Sequence, residues 1–97
     1  MVRSDVLRRL RELEPWLSAQ GIERLRLFGS HARDEARADS DVDLLVEFSA
    51  ERTPDLFAFA GLKLELEARL GAPVDLFTPN SLHPKLKAQI EATLLDV

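Results

Sequence analysis

The sequence contains no cysteine and no long apolar run. The absence of cysteine excludes disulfide bonds, thiolate metal ligands and a cysteine nucleophile. No stretch has the length and apolar character of a membrane span. The charged first residues, MVRSDVLRRLRELE, are not followed by the apolar run of a signal peptide. We therefore expect a cytoplasmic protein that does not act at a membrane.

The chain also lacks a basic segment. Its 13 Lys and Arg residues are interspersed among 17 Asp and Glu residues, and the formal net charge is -4. Proteins that bind nucleic acid normally present a basic patch, so no direct binding to nucleic acid is expected. The 97 residues, of which 45% are hydrophobic, suit a single domain over 1–97 with a modest core.

The hydrophobic pattern predicts alternating helices and strands. The predicted elements are, in chain order, a helix over 4–20, a strand over 23–28, a short helix after Gly29-Ser30, a strand over 42–48, a helix from 53 to about 70, a strand over 74–77, and a last helix that starts near 81–84 and carries Leu86, Ile90 and Leu94. This order indicates an α/β or α+β domain with a small mixed three-stranded sheet and about four helices.

Three details of the predicted helices depend on single residues. Ser4 is expected to cap the first helix, and Thr53 is expected to cap the helix that follows it. Pro15 lacks a backbone donor and crowds the preceding turn, so a kink or a break is expected there.

Asp41 and Asp43 are the first candidates for chemistry. They lie two residues apart at the start of a predicted strand, so both side chains point to the same face. Two carboxylates on one face repel each other, and a hard divalent cation such as Mg²⁺ removes that penalty. The alternative is that both residues simply occupy a turn and a strand edge.

Gly29 and Ser30 form a second candidate feature between a strand and a helix. Glycine allows a tight turn and close approach by a ligand. Free amides at the start of a helix, together with the serine hydroxyl, are suited to binding phosphate. Taken alone, Gly-Ser is equally typical of an ordinary strand-to-helix turn.

The two candidates meet if the first two strands are antiparallel neighbours. Gly29 then follows the end of one strand, beside the start of the strand that carries Asp43. Asp75 lies at the start of the third strand and would join the same edge if that strand runs parallel to the second.

The run Gly29-Ser30, ten residues, Asp41-Val42-Asp43 resembles the signature of the DNA polymerase beta-like nucleotidyltransferase superfamily. The longer run GSHARDEARADSDVDLLVEF resembles its minimal nucleotidyltransferase (MNT) branch, whose members are often encoded beside a HEPN-domain RNase toxin. The resemblance covers nearly the whole chain. Asp34 departs from it, because the family usually has glycine there, and an acid near a triphosphate could weaken activity.

This resemblance implies the nucleotidyltransferase fold and a transfer reaction with two Mg²⁺ ions. Asp41, Asp43 and Asp75 would be the catalytic, metal-binding residues, and Asp75 could help to take the proton of the attacking hydroxyl. Gly29 and Ser30 would bind the terminal phosphates of the nucleotide. Arg33 could reach a phosphate, or it could be a solvated helix residue.

The resemblance also implies a partner. In MNT–HEPN pairs the antitoxin transfers AMP from ATP to a tyrosine hydroxyl of its toxin, so ATP and a HEPN toxin are expected here. Two alternatives stay open: a non-catalytic antitoxin that neutralises its partner by binding, and transfer to a small molecule, for which an oligomer could supply the acceptor site. His31 and His83 are assigned no chemical role.

Overall fold

The computed structural model describes residues 2–37, 39–91 and 93–97. Its elements are, in chain order, α1 (Arg3–Glu12), α2 (Glu14–Ala19), β1 (Ile22–Phe28), α3 (Gly29–Ala32), β2 (Val42–Phe48), α4 (Leu56–Leu70), β3 (Val74–Phe77), a 3-10 turn (Pro79–Ser81), α5 (Pro84–Glu91) and β4 (Leu95–Asp96). Within these ranges, no helix combines the length and the apolar character needed to cross a membrane.

The predicted first helix is interrupted near Pro15, as expected. Leu13 separates α1 from α2, and Pro15 occupies the first turn of α2, where its missing N–H costs little. The predicted cap is wrong, because Ser4 lies inside α1 and no side chain caps the N-terminus of that helix.

Helix α4 starts later than its predicted cap. Asp55, and not Thr53, precedes the helix and accepts a hydrogen bond from the Ala58 N–H at 2.7 Å. Asp55 therefore takes the capping role that the sequence suggested for the hydroxyl. Gly71, with φ 80°, ends the helix in the left-handed conformation that favours glycine.

The sheet has four strands in the order β3-β2-β1-β4. Strands β1 and β2 are antiparallel, and β2 and β3 are parallel, so the sheet is mixed as predicted. The predicted numbers of three strands and about four helices are exceeded by one strand and one helix among the described residues. Strand β4 was missed because it has only two residues and follows Leu94, which had been assigned to the last helix.

The two faces of the sheet are covered unequally. The larger core packs α1, α2 and α4 onto one face, and its fully buried members include Val6, Leu10, Leu27, Val42, Leu44, Val46, Leu66, Leu70 and Val74. The smaller core lies on the other face and consists of Phe28, Leu45, Leu82 and Ile90. This second face carries the candidate site, because Asp43 and Leu45 alternate with the buried Val42 and Leu44 along β2.

Candidate nucleotide and metal site

The strand register brings three separate parts of the chain to one edge of the sheet. Phe28, at the end of β1, lies opposite Asp43 in the antiparallel pair, and Asp43 lies beside Asp75 in the parallel pair. Gly29 follows Phe28 directly. The antiparallel and parallel pairings that the sequence argument required are therefore both present, and they place the glycine turn beside two of the aspartates.

Gly29 fits the site because of its conformation and its surroundings. Its φ of 74° lies in the left-handed region that favours glycine. A Cβ atom built at this position would overlap a carboxylate oxygen of Asp43 and would lie 3.1 Å from its Cγ. The backbone of the turn therefore approaches the carboxylate more closely than any other residue type would allow.

Asp41 completes a group that we call the acidic rim, which consists of Asp41, Asp43 and Asp75. Asp41 lies just before β2 and is exposed, whereas the other two are half-buried. Burial, together with the negative charges of Asp75 and Asp41, raises the pKa of Asp43 from 3.8 to about 6. Burial also raises the pKa of Asp75, as do the charge of Asp41 and a side-chain hydrogen bond with it.

The chemistry of the acidic rim fits a hard divalent cation. Its donors are all carboxylate oxygens, which Mg²⁺ prefers. Carboxyl groups that hold a proton because they repel one another would exchange it for a metal ion. Among the residues that the structure describes, no three His, Cys, Asp or Glu side chains are already arranged to hold a metal ion.

Ser30 and Arg33 are the other predicted phosphate ligands: Ser30 lies within the short helix α3, and Arg33 follows its last residue. Ser30 is half-buried, and its carbonyl accepts a hydrogen bond from the Glu35 N–H at 2.8 Å. Arg33 is exposed, and its Nε lies 3.2 Å from the Glu35 carboxylate. The charge of Arg33 nevertheless lowers the pKa of Asp43, so the guanidinium acts on the acidic rim.

Helix α4 contributes two residues near the rim that sequence reasoning missed. The charge of Lys63 lowers the pKa of Asp75, and the charge of Glu67 raises it. The Glu67 carboxylate also accepts the Val74 N–H at 2.9 Å, which fixes the start of β3. No sequence signal marks these two residues, because their position depends on how α4 packs against β3.

The two histidines have different surroundings. His31 is buried, and its Nδ1 lies 3.1 Å from the backbone carbonyl oxygen of Asp41. Burial lowers the pKa of His31, and the hydrogen bond to Asp41 opposes that shift. His83 is exposed, and its Nδ1 accepts the Lys85 N–H at 3.2 Å at the start of α5. Sequence reasoning overlooked His31 because its burial depends on the packing of a four-residue helix.

Asp34, which stands where the resemblance leads one to expect glycine, has an unusual backbone conformation. Its φ is 59°, so this position takes the conformation for which the resemblance leads one to expect glycine. The Asp34 carboxylate accepts the backbone N–H of Arg3 at 3.4 Å, which connects it to the start of α1. The side chain is thus engaged with a neighbouring helix.

Residues 3–96 match the family model of the nucleotidyltransferase domain. The chain belongs to this family. A Methanocaldococcus jannaschii protein, named as a candidate protein adenylyltransferase, is 44% identical to this nucleotidyltransferase over 87 residues, which are 90% of this chain and 91% of the relative. The protein adenylyltransferase MntA of Thermococcus cleftensis is 42% identical over 94 residues and 89% of each chain.

Similarity to solved structures supports the family assignment. This nucleotidyltransferase superposes on a candidate minimal nucleotidyltransferase with a TM-score of 0.82 and 39% identity, over 100% of this chain and 97% of that chain. The predicted membership of the minimal branch is therefore confirmed. A chain from the Shewanella oneidensis complex of a tri-AMPylated HEPN toxin with its MNT antitoxin shares the fold, with a TM-score of 0.69 at 22% identity over 94% of this chain and 70% of that one.

Proposed function

We propose that this nucleotidyltransferase is an Mg²⁺-dependent protein adenylyltransferase that transfers AMP from ATP to a tyrosine hydroxyl of a HEPN-domain RNase toxin, for which it is the antitoxin. The observation that carries the proposal is the register that places Gly29 against Asp43 and Asp43 beside Asp75. The names of the archaeal relatives support protein adenylylation. The Shewanella oneidensis complex supports the choice of partner.

Different residues of the site would bind the triphosphate and the metal ion. The backbone of Gly29, the hydroxyl of Ser30 and the guanidinium of Arg33 would bind the triphosphate. Asp41, Asp43 and Asp75 would hold Mg²⁺, which supplies positive charge for the developing negative charge on the phosphate oxygens. Catalysis would then consist mainly of positioning and charge neutralisation.

Asp75 is the best candidate for the proton acceptor. The tyrosine oxygen forms a bond to the α-phosphorus, and the bond from that phosphorus to the bridging oxygen of the β-phosphate breaks. Pyrophosphate leaves, and the hydroxyl proton passes to the Asp75 carboxylate. This carboxylate is a base of the kind that can accept such a proton when it lies within hydrogen-bond reach of the hydroxyl.

The test is transfer of label from α-labelled ATP to the toxin encoded beside this protein. We expect labelled toxin only with Mg²⁺ and ATP, and none when the acceptor tyrosine is replaced by phenylalanine. If the folded protein neutralises the toxin without moving any label, the proposal is wrong.

A second candidate is neutralisation by binding alone. One observation favours it: Asp34 occupies a left-handed backbone position, with φ 59°, where the resemblance leads one to expect glycine. An Asp41→Ala/Asp43→Ala variant separates the two functions. Neutralisation that survives this change supports binding, whereas its loss with an intact complex supports catalysis.

A further inference from the structure

His31 is the one buried polar or charged side chain among the described residues, and only 2% of its surface is exposed. It follows Ser30 in α3, on the nucleotide side of the site. A buried polar side chain is costly unless its hydrogen bonds are made. The partner of this imidazole therefore indicates why the position is occupied by histidine.

That partner is the backbone of a rim residue. The Nδ1 atom of His31 lies 3.1 Å from the carbonyl oxygen of Asp41. A carbonyl oxygen can only accept a hydrogen bond, so Nδ1 must carry the proton. This contact fixes the tautomer of a neutral ring, with the hydrogen on Nδ1 and not on Nε2.

The contact crosses the connection between α3 and β2. Within that connection one hydrogen bond is local, from the Ser40 N–H to the Arg37 carbonyl at 3.1 Å, and another joins the Arg3 N–H to the Asp34 carboxylate at 3.4 Å. Asp41 precedes β2, which begins at Val42. The peptide unit that joins them donates the Val42 N–H to the Pro73 carbonyl at 2.8 Å, which holds one side of this unit. The His31 bond ties Asp41 back to the helix that begins at Gly29.

We propose that His31 is a positioning residue, whose Nδ1–H holds the Asp41 carbonyl and thereby fixes the Asp41 carboxylate relative to the Gly29-Ser30 turn. Its effect on transfer rests on the function proposed above, whereas its effect on cation binding does not. One hydrogen bond thereby connects the two halves of the site, which are the turn that would bind phosphate and the carboxylates that would bind metal.

Two substitutions separate this role from simple filling of space. Leucine at position 31 occupies a similar volume without a donor. Asparagine is smaller but places an amide N–H near the position of Nδ1. His83→Asn is the matched control, since His83 is exposed and lies just before α5. If His31 only fills the core, His31→Leu should be the milder change. If His31 positions Asp41, His31→Asn should be the milder change.

The first readout needs no activity. We expect the nitrogen chemical shifts of His31 in the metal-free protein to show a protonated Nδ1 and an unprotonated Nε2. Mn²⁺ affinity, measured by water proton relaxation with a non-hydrolysable ATP analogue, should fall about 10-fold or more in His31→Leu, the range seen when outer partners of metal ligands are removed. His31→Asn should recover most of that loss, and His83→Asn should match the original protein.

The second readout is transfer to the toxin, in which kcat should fall in His31→Leu while the KM for the toxin stays unchanged. An Nε2-protonated ring would overturn the proposal, and so would equal Mn²⁺ affinities in the leucine and asparagine variants. If the unsubstituted protein binds Mn²⁺ but moves no AMP, the proposed function fails, and the tautomer and Mn²⁺ affinities still decide the role of His31.

Discussion

One face of the sheet carries acids at both ends, and their surroundings differ. At the acidic rim, Asp43 lies beside Asp75, and burial together with the charges of Asp75 and Asp41 raises the pKa of Asp43. At the other end, which we call the paired end, opposite charges alternate. There the Nη2 atom of Arg26 lies 3.1 Å from the Glu47 carboxylate, and the Nε atom of Arg24 lies 3.1 Å from that of Asp96.

Asp43 and Glu47 can be compared directly because they belong to the same strand. They lie four positions apart, which corresponds to about 13 Å along an extended chain. The side chains of Phe28, Leu45 and Phe77 fill the space between the two ends, and the centroids of the two phenylalanine rings lie 5.5 Å apart. The paired end satisfies its charges within the chain, whereas the acidic rim needs a proton or a cation from outside. This difference separates a stabilising contact from a candidate binding site.

The largest expected effect is on catalysis at the acidic rim. Asp43→Asn should lower the rate of AMP transfer at least about 100-fold, because a cation ligand is lost from the transition state. Glu47→Gln, on the same strand and face, should leave the rate within about twofold. The measurement is single-turnover transfer to the toxin at saturating Mg²⁺ and ATP. Similar losses in both variants would remove the distinction between the two ends.

Gly29→Ala should be the next largest change. The added Cβ meets the Asp43 carboxylate, and alanine is strained at φ 74°, so we expect about 2–3 kcal/mol of destabilisation together with loss of transfer. Gly71→Ala is the matched control, with φ 80° and only the flexible Arg9 guanidinium nearby, at 3.3 Å. It should cost about 1 kcal/mol and retain transfer.

Chemical denaturation and the transfer assay together test this pair of glycine variants. If both variants lose stability and transfer to the same extent, the close approach between the turn and Asp43 has no special role.

Sequence patterns predicted the parts of the molecule that depend on local rules. The alternation around Leu25 and Leu27, and the apolar strand behind Asp43, gave the correct strands, and the family motif placed Gly29. Patterns failed where packing decides. The two-residue β4 exists because it adds to the edge of β1, with Leu95 beside Leu27, and no local signal marks so short a pairing.

The same limit applies to the site. The three aspartates could be chosen from sequence, because strand direction brings them to one edge. The buried His31 and the α4 residues Lys63 and Glu67 could not be chosen, because their relation to the acidic rim depends on the packing of α3 and α4.

The stability of the metal-free protein should depend on pH because of Asp43. The folded state holds this proton more tightly than the unfolded chain, so protonation favours folding. The contribution is complete below the ordinary pKa of 3.8 and is lost as the pH rises through about 6. Because solvent partly screens this half-buried group, we expect a loss of about 1–2 kcal/mol.

Denaturant unfolding between pH 4 and 7 measures this contribution, with Asp43→Asn as the reference. The free energy of unfolding of the unsubstituted protein should fall relative to that of the variant. Parallel curves would show that Asp43 carries no such proton.

The smallest expected effect lies at the paired end. Glu47→Gln should cost about 1 kcal/mol or less, because partly exposed ion pairs contribute little. The buried Nε of Arg26, which has no hydrogen-bond partner among the described residues, places the value near the upper end of that range. Thermal unfolding at low and high salt measures the change, which salt should reduce. A loss of several kcal/mol would mean that this ion pair is a principal support of the fold.

The most direct test of the acidic rim is the unfolding midpoint as a function of Mg²⁺ at neutral pH, with a non-hydrolysable ATP analogue at fixed concentration. Binding to the folded state alone raises the midpoint. The unsubstituted protein should start below Asp43→Asn, because its like charges repel, and should rise with added Mg²⁺ while the variant stays nearly constant. A midpoint that does not respond to Mg²⁺, or that rises equally in both proteins, would contradict the assignment of the acidic rim as the cation site.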